Sequence, residues 1–135
     1  MKLIDASVAV KFALEEEDYE AARALSLGPI CAPDLILAEA ANGWWKAWRK
    51  GALSAEAYEA AVGNLAGLFD ELFPAGPVML RAAEISRTLD HPTYDCIYLA
   101  FAEDRRRALI TADRRLLEKI AATEFAKLCE PLTGK

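Results

Sequence analysis

The sequence predicts an α/β fold, a short central parallel sheet covered on both faces by helices. Short apolar runs at 2–5 (KLID), 30–33 (ICAP) and 108–111 (ALIT) alternate with stretches of helical spacing. Such alternation calls for parallel strands joined through helical crossovers and buried on both sides. At 135 residues the chain is expected to form one domain, 1–135, with room for a core that needs no disulfide staples.

Each element has its own signal. KLID reads as a buried strand, and SVAVKFALEE after it has helical spacing. A helix over 16–26 carries Tyr19, Ala22, Leu25 and Leu27 near one face and is stopped by Gly28–Pro29. ICAP is a second strand, after which Pro33 opens a long helix to Lys50 that Gly51 closes. Ser54 begins a helix to about Asp70, and ELFPAGP is a break holding a third strand near Leu72–Phe73. Residues 77–89 read as a helix, HPT at 91–93 as a turn, and 94–106 as an apolar helix ending in Arg105, Arg106 and Arg107. ALIT is the clearest strand of the second half; DRRLLEKIAA then forms a helix and FAKLC at 125–129 a last strand. There is no internal repeat, low-complexity tract or interdomain linker.

Composition removes several function classes. Hydrophobic residues make up 54% and charged residues 27%, as in a compact globular protein. The start lacks a basic n-region and cleavage site, and no apolar run approaches the roughly 20 residues of a membrane span. Cys31, Cys96 and Cys129 are too scattered for a disulfide framework or a CxxC zinc site, so a cytoplasmic protein is expected. A single histidine, His91, excludes a His-rich zinc site. The net charge of −5 argues against nonspecific coating of nucleic acid, yet suits an acidic catalytic cluster.

Four carboxylates stand out. Asp5 and Asp113 each follow a strand, where ligands collect in open α/β sheets. Asp95 heads a nearly apolar helix and so needs a compensating partner. Glu39 lies inside PDLILAEAANGWW, three positions before Asn42. Asp5, Asp95 and Asp113 also suit the capping of helix starts, whereas Glu39, about two turns into its helix, suits it least. Capping and ligation can coexist at one residue. Four converging carboxylates would require a counter-charge, and oxygen-only ligands select magnesium or manganese. Such a cation supports metal-assisted hydrolysis of a phosphodiester.

The segments LIDASVAVK, PDLILAEAANGWWK, YDCIYLAFAE and LITADRRLL, in this order and separation, resemble the PIN-domain ribonucleases over essentially the whole chain. The resemblance is greatest to the VapC-type toxins of toxin–antitoxin modules. It implies a three-layer α/β/α sandwich and an endoribonuclease dependent on Mg²⁺ or Mn²⁺. Asp5, Glu39, Asp95 and Asp113 would be the catalytic, metal-binding set. Ser7 and Thr111 would place hydroxyls near the pocket, and Asn42 would orient a ligand or carboxylate. An RNA substrate, an antitoxin partner and a homodimer are implied with them. The alternatives are a catalytically silent PIN-like binding module, or a DNA nuclease or phosphatase using the same pocket.

On a helical wheel Glu39, Asn42, Lys46 and Arg49 share one polar face, while Ile36, Ala40, Trp44, Ala47 and Trp48 oppose it and are expected to pack inward. Lys46 and Arg49 are therefore candidates for holding RNA phosphates, against the simpler reading of a solvated basic face. Arg114, next to Asp113, is a candidate for reaching substrate or pairing with a pocket acid.

Overall fold

In a computed structural model describing residues 1–134, five strands form one parallel sheet. They are β1 (Lys2–Ile4), β2 (Ile30–Pro33), β3 (Glu71–Phe73), β4 (Leu109–Thr111) and β5 (Cys129–Pro131), in the order β3-β2-β1-β4-β5. β1 lies in the middle, with Leu3 in register with Cys31 of β2 on one side and Leu109 of β4 on the other. The chain winds outward through β2 and β3 in one direction and through β4 and β5 in the other. The winding reverses between β1 and β4, and a crevice opens at the carboxyl ends of such strands.

Helices cover both faces of the sheet. They are α1 (Ala6–Ala9, continued by a 3₁₀ turn at Val10–Phe12), α2 (Tyr19–Ser26), α3 (Leu35–Arg49), α4 (Ala55–Leu65), α5 (Met79–Leu89), α6 (Thr93–Arg105) and α7 (Arg114–Ile120). α5 packs along α6, and α3 along α4. From Cys96 to Ala102 every residue of α6 is buried, as expected of a helix apolar all round. The strands bury Leu3, Ile4, Ile30, Ala32 and Leu109 against Ile36, Ala40 and Trp44 of α3 and Leu99 of α6 within one continuous core. Trp44 satisfies its indole by donating Nε1–H to the Val10 carbonyl at 2.9 Å. Beside it Gly43 lets α3 approach closely, because a Cβ there would stand 2.8 Å from Val10 Cγ1. Among the described residues no helix is long and apolar enough to cross a membrane.

The alternation of elements matches expectation, while several ends differ for local reasons. α2 begins only at Tyr19, because Asp18 takes a left-handed conformation (φ 63°). Pro33 completes β2 instead of opening α3, and Asp34 N–H extends the sheet by bonding the Phe73 carbonyl at 2.8 Å. α4 ends at Leu65, since Asp70 is drawn to the sheet: its N–H reaches the Ile30 carbonyl, and its Oδ1 accepts from Ile30 N–H. FAKLC is not the last strand; Ala126–Leu128 forms a 3₁₀ turn and β5 follows it. Trp48 does not pack inward. It is 43% exposed and stacks on Tyr58 of α4, with ring centroids 6.5 Å apart.

Candidate acidic site at the strand ends

Asp5 leaves β1 at the point of reversal and is only 5% exposed. Its Oδ1 accepts from Ser7 Oγ at 2.5 Å and from Val8 N–H at 3.3 Å, the latter capping α1. Its Oδ2 accepts from Thr111 Oγ1, at the end of β4, at 2.5 Å. Each hydroxyl has one hydrogen and gives it to Asp5, so the 3.2 Å approach of Ser7 Oγ to Thr111 Oγ1 is a contact within the cluster. Ser7 Oγ accepts from Ala112 N–H and Thr111 Oγ1 from Asp113 N–H, at 2.9 and 3.0 Å. The carboxyl ends of β1 and β4 are thereby tied together. Burial pushes the Asp5 carboxyl up to about 6; the Ser7 and Thr111 hydroxyls oppose this, and the charge of Asp95 adds to it.

α3 delivers Glu39, half-buried, and α6 holds it: Tyr98 Oη donates to Glu39 Oε1 at 2.6 Å. Burial raises the Glu39 carboxyl above its ordinary range, the Tyr98 bond lowers it, and Asp95 raises it again. Tyr98 is buried, and its phenol is held far above the usual value by burial, then by Glu39, with Asp5 and Asp95 contributing. It therefore remains a donor throughout the physiological range. Asp95 stands in the first turn of α6 and makes no cap bond there; its Oδ2 instead meets His91 Nε2 at 2.6 Å. Asp5, Glu39 and Asp95, from three distant segments, thus share one electrostatic field.

Asp113 stands differently. Its backbone joins the cluster through Thr111, but its Oδ1 caps α7 by accepting from Arg115 N–H at 3.0 Å and Leu116 N–H at 3.2 Å. Asn42 is exposed. Lys46 and Arg49 are exposed on the last turns of α3, where with Trp45 and Lys50 they line a concavity of about 280 Å³. The Arg49 guanidinium lies 5.1 Å over the Trp45 ring. Arg114 pairs with Glu17 at 3.2 Å, both side chains exposed, and not with any of the four acids. A separate concavity of about 400 Å³, walled by Arg81, Glu103, Arg106 and Phe125, includes Ala108 at the amino end of β4, the opposite edge of the sheet.

Sequence reading missed His91 and Tyr98 as members of the site. The only signal was nearness to Asp95: Tyr98 follows it by three positions, on the helical repeat that brings side chains onto one face, and His91 stands in the turn just before α6.

The donor set suits a hard divalent cation. Every acid offers oxygen, and among the described residues no lysine or arginine forms an ion pair with Asp5, Glu39 or Asp95. The missing positive charge is what such a cation provides. As the side chains lie, no group of three or more His, Cys, Asp or Glu among the described residues surrounds one point. Tyr98 draws Glu39, His91 draws Asp95, and two hydroxyls hold Asp5. The fit is thus one of donor type and charge alone.

Comparison with known proteins agrees with this geometry. The PIN domain family matches residues 2–122. Ribonuclease VapC3 of Pyrobaculum aerophilum is 33% identical over 127 residues, covering 90% of this chain and 97% of that protein. The crystal structure of PAE2754 from Pyrobaculum aerophilum superposes with a TM-score of 0.70, covering 97% of this chain and 90% of its own. At 23% identity that likeness speaks for the fold, the three-layer α/β/α sandwich. With a family match over nearly its whole length and the parallel sheet order of the fold, the chain belongs to the PIN-domain family.

Proposed function

We propose that the protein is a Mg²⁺- or Mn²⁺-dependent endoribonuclease of the VapC type, the toxin of a toxin–antitoxin pair acting in the cytoplasm. The observation that supports this reading is the buried Asp5, held on both oxygens where the sheet reverses, in a PIN-domain chain 33% identical to a ribonuclease. Asp5, Glu39 and Asp95 would hold the cation, with Asp113 completing the set through the carboxylate oxygen that does not cap α7. When bound, the cation supplies charge neutralisation at the scissile phosphate and a lowered pKa for water.

The protein's own groups do the rest. Thr111 and Ser7 fix both oxygens of Asp5, and Tyr98 fixes Oε1 of Glu39. A pocket carboxylate oxygen that the cation leaves free takes the proton of the attacking water. The water oxygen bonds to phosphorus as the bond to the ribose 3′-oxygen breaks. That oxygen gains a proton, leaving a 3′-hydroxyl and a 5′-phosphate. Lys46 and Arg49 bind flanking phosphates, Arg114 joins them once released from Glu17, and Asn42 lies on the path between. An antitoxin would occupy this cleft, and the active form would be a homodimer.

The test is RNA cleavage with Mg²⁺ or Mn²⁺, comparing wild type with Asp5→Asn and Asp95→Asn, and with circular dichroism to confirm folding. Cutting by wild type alone supports the proposal. Folded wild type that cuts no RNA overturns it in favour of a binding module, and cleavage restricted to DNA overturns the substrate class.

A further inference from the structure

The geometry points to His91 as a positioning residue for the metal site: it fixes one oxygen of Asp95 so that the other alone is presented for ligation. This inference rests on the metal-dependent reading above and adds a residue to it.

His91 Nε2 lies 2.6 Å from Asp95 Oδ2, and the imidazole side chain is only 12% exposed. An ionised carboxylate has no hydrogen to give, so the ring nitrogen donates and Oδ2 accepts. The imidazole is itself fixed by the corner between α5 and α6. Asp90 turns the chain there with φ 52°, and His91 N–H bonds the Ser86 carbonyl at 3.1 Å. Ser86 Oγ donates back to the His91 carbonyl at 2.6 Å, and Thr93 Oγ1 donates to Ser86 Oγ at 3.2 Å. Cys96, buried on α6, directs its Sγ to the same His91 carbonyl at 3.9 Å. A residue needed only to fill the corner would not require a ring nitrogen aimed at a carboxylate.

The consequence is geometric. With Oδ2 occupied, rotation of the Asp95 carboxyl is restrained, and Oδ1 is the oxygen left for a cation. Partners of this kind, which orient a ligand from behind, typically govern metal affinity by about 10- to 100-fold. Tyr98 does the same for Glu39, whereas Asp5 has a donor on each of its oxygens, Ser7 on Oδ1 and Thr111 on Oδ2. His91 differs from those hydroxyls in one practical respect: it is the only histidine, so its imidazole gives a single, unambiguous spectroscopic signal.

Two measurements test the role without relying on catalysis. In the first, Mn²⁺ alone is titrated calorimetrically into wild type, His91→Phe and His91→Gln, with melting temperatures recorded in parallel. His91→Phe keeps the ring volume without the donor, and should weaken Mn²⁺ binding about 10- to 100-fold. His91→Gln keeps an N–H and should remain within a few-fold of wild type. In the second, the imidazole ¹⁵N–¹H signals of wild type are followed as diamagnetic Mg²⁺ is added. They should show a protected Nε2–H that shifts in step with binding, and this reading holds even where a variant fails to fold. Unchanged Mn²⁺ affinity in folded His91→Phe, or an imidazole signal indifferent to Mg²⁺ that binds, overturns the inference and leaves the ribonuclease reading standing. Wild type that binds neither cation overturns both.

Discussion

Thr111 Oγ1, at the end of β4, donates to Asp5 Oδ2, at the end of β1, across 106 positions of sequence at 2.5 Å. The same Thr111 oxygen accepts from Asp113 N–H, so one buried hydroxyl joins the end of β1 to the turn that follows β4. Thr111→Val preserves shape and removes both bonds. It should cost about 2–4 kcal/mol, because two buried polar groups lose their partner. Urea unfolding measures the loss, and a cycle with Asp5→Asn should show strong coupling between the two positions. Additive effects would contradict the contact.

Asp5 makes the metal-free fold sensitive to pH. Its carboxyl sits at about 6 in the folded protein against 3.8 in an unfolded chain. Between these values the folded state keeps a proton that the unfolded state releases, so stability falls as pH rises through this window and stays lower above it. A shift of about two units corresponds to about 3 kcal/mol. In the presence of chelator, Asp5→Asn should therefore be more stable than wild type above about pH 6. The gap should narrow as pH falls toward 4, and denaturant midpoints across this range will show whether it does.

A divalent cation should reverse that penalty. With Mg²⁺ or Mn²⁺ at about 100 times its dissociation constant, the folded state should gain about 2.7 kcal/mol, seen as a rise of several degrees in melting temperature. The gain should shrink near pH 5, where the cation must displace the proton from Asp5, and should be absent from Asp5→Asn and Asp95→Asn. Equal shifts in wild type and both variants would place the cation elsewhere.

Lys46 and Arg49 should act on RNA through phosphate charge alone. Both are exposed beyond Glu39 on α3, outside the acidic cluster. Lys46→Glu and Arg49→Glu should each weaken binding of single-stranded RNA and reduce the slope of log affinity against log salt by about one. Mn²⁺ affinity should stay as in wild type. Fluorescence anisotropy at several salt concentrations distinguishes this from an RNA path that avoids α3.

Much of this architecture was visible in the sequence, because short apolar runs between stretches of helical spacing set the strands and the middle of α6 is apolar on every side. Pro33 and the FAKLC run misled because their roles depend on pairing with distant strands: Pro33 lies in register with Phe73, and Leu109 with Cys129. Periodicity alone points Trp48 inward, whereas in the folded chain it is partly exposed and stacks on Tyr58 of α4. The candidate acids could be named from their positions after strands and within helices. What holds them could not. Tyr98 and His91 resemble a core aromatic and a turn residue until α3, α5 and α6 are brought together.

β1 is made first yet sits in the middle of the sheet, and its pairing with β4 joins Leu3 to Leu109. Closing so large a loop costs entropy before any contact repays it, which slows folding relative to local pairings. Asp5 acquires its Thr111 partner only when that closure occurs. The contact exists only once β4 has paired with β1, so any nuclease activity that depends on it should appear on refolding together with the sheet and not before it.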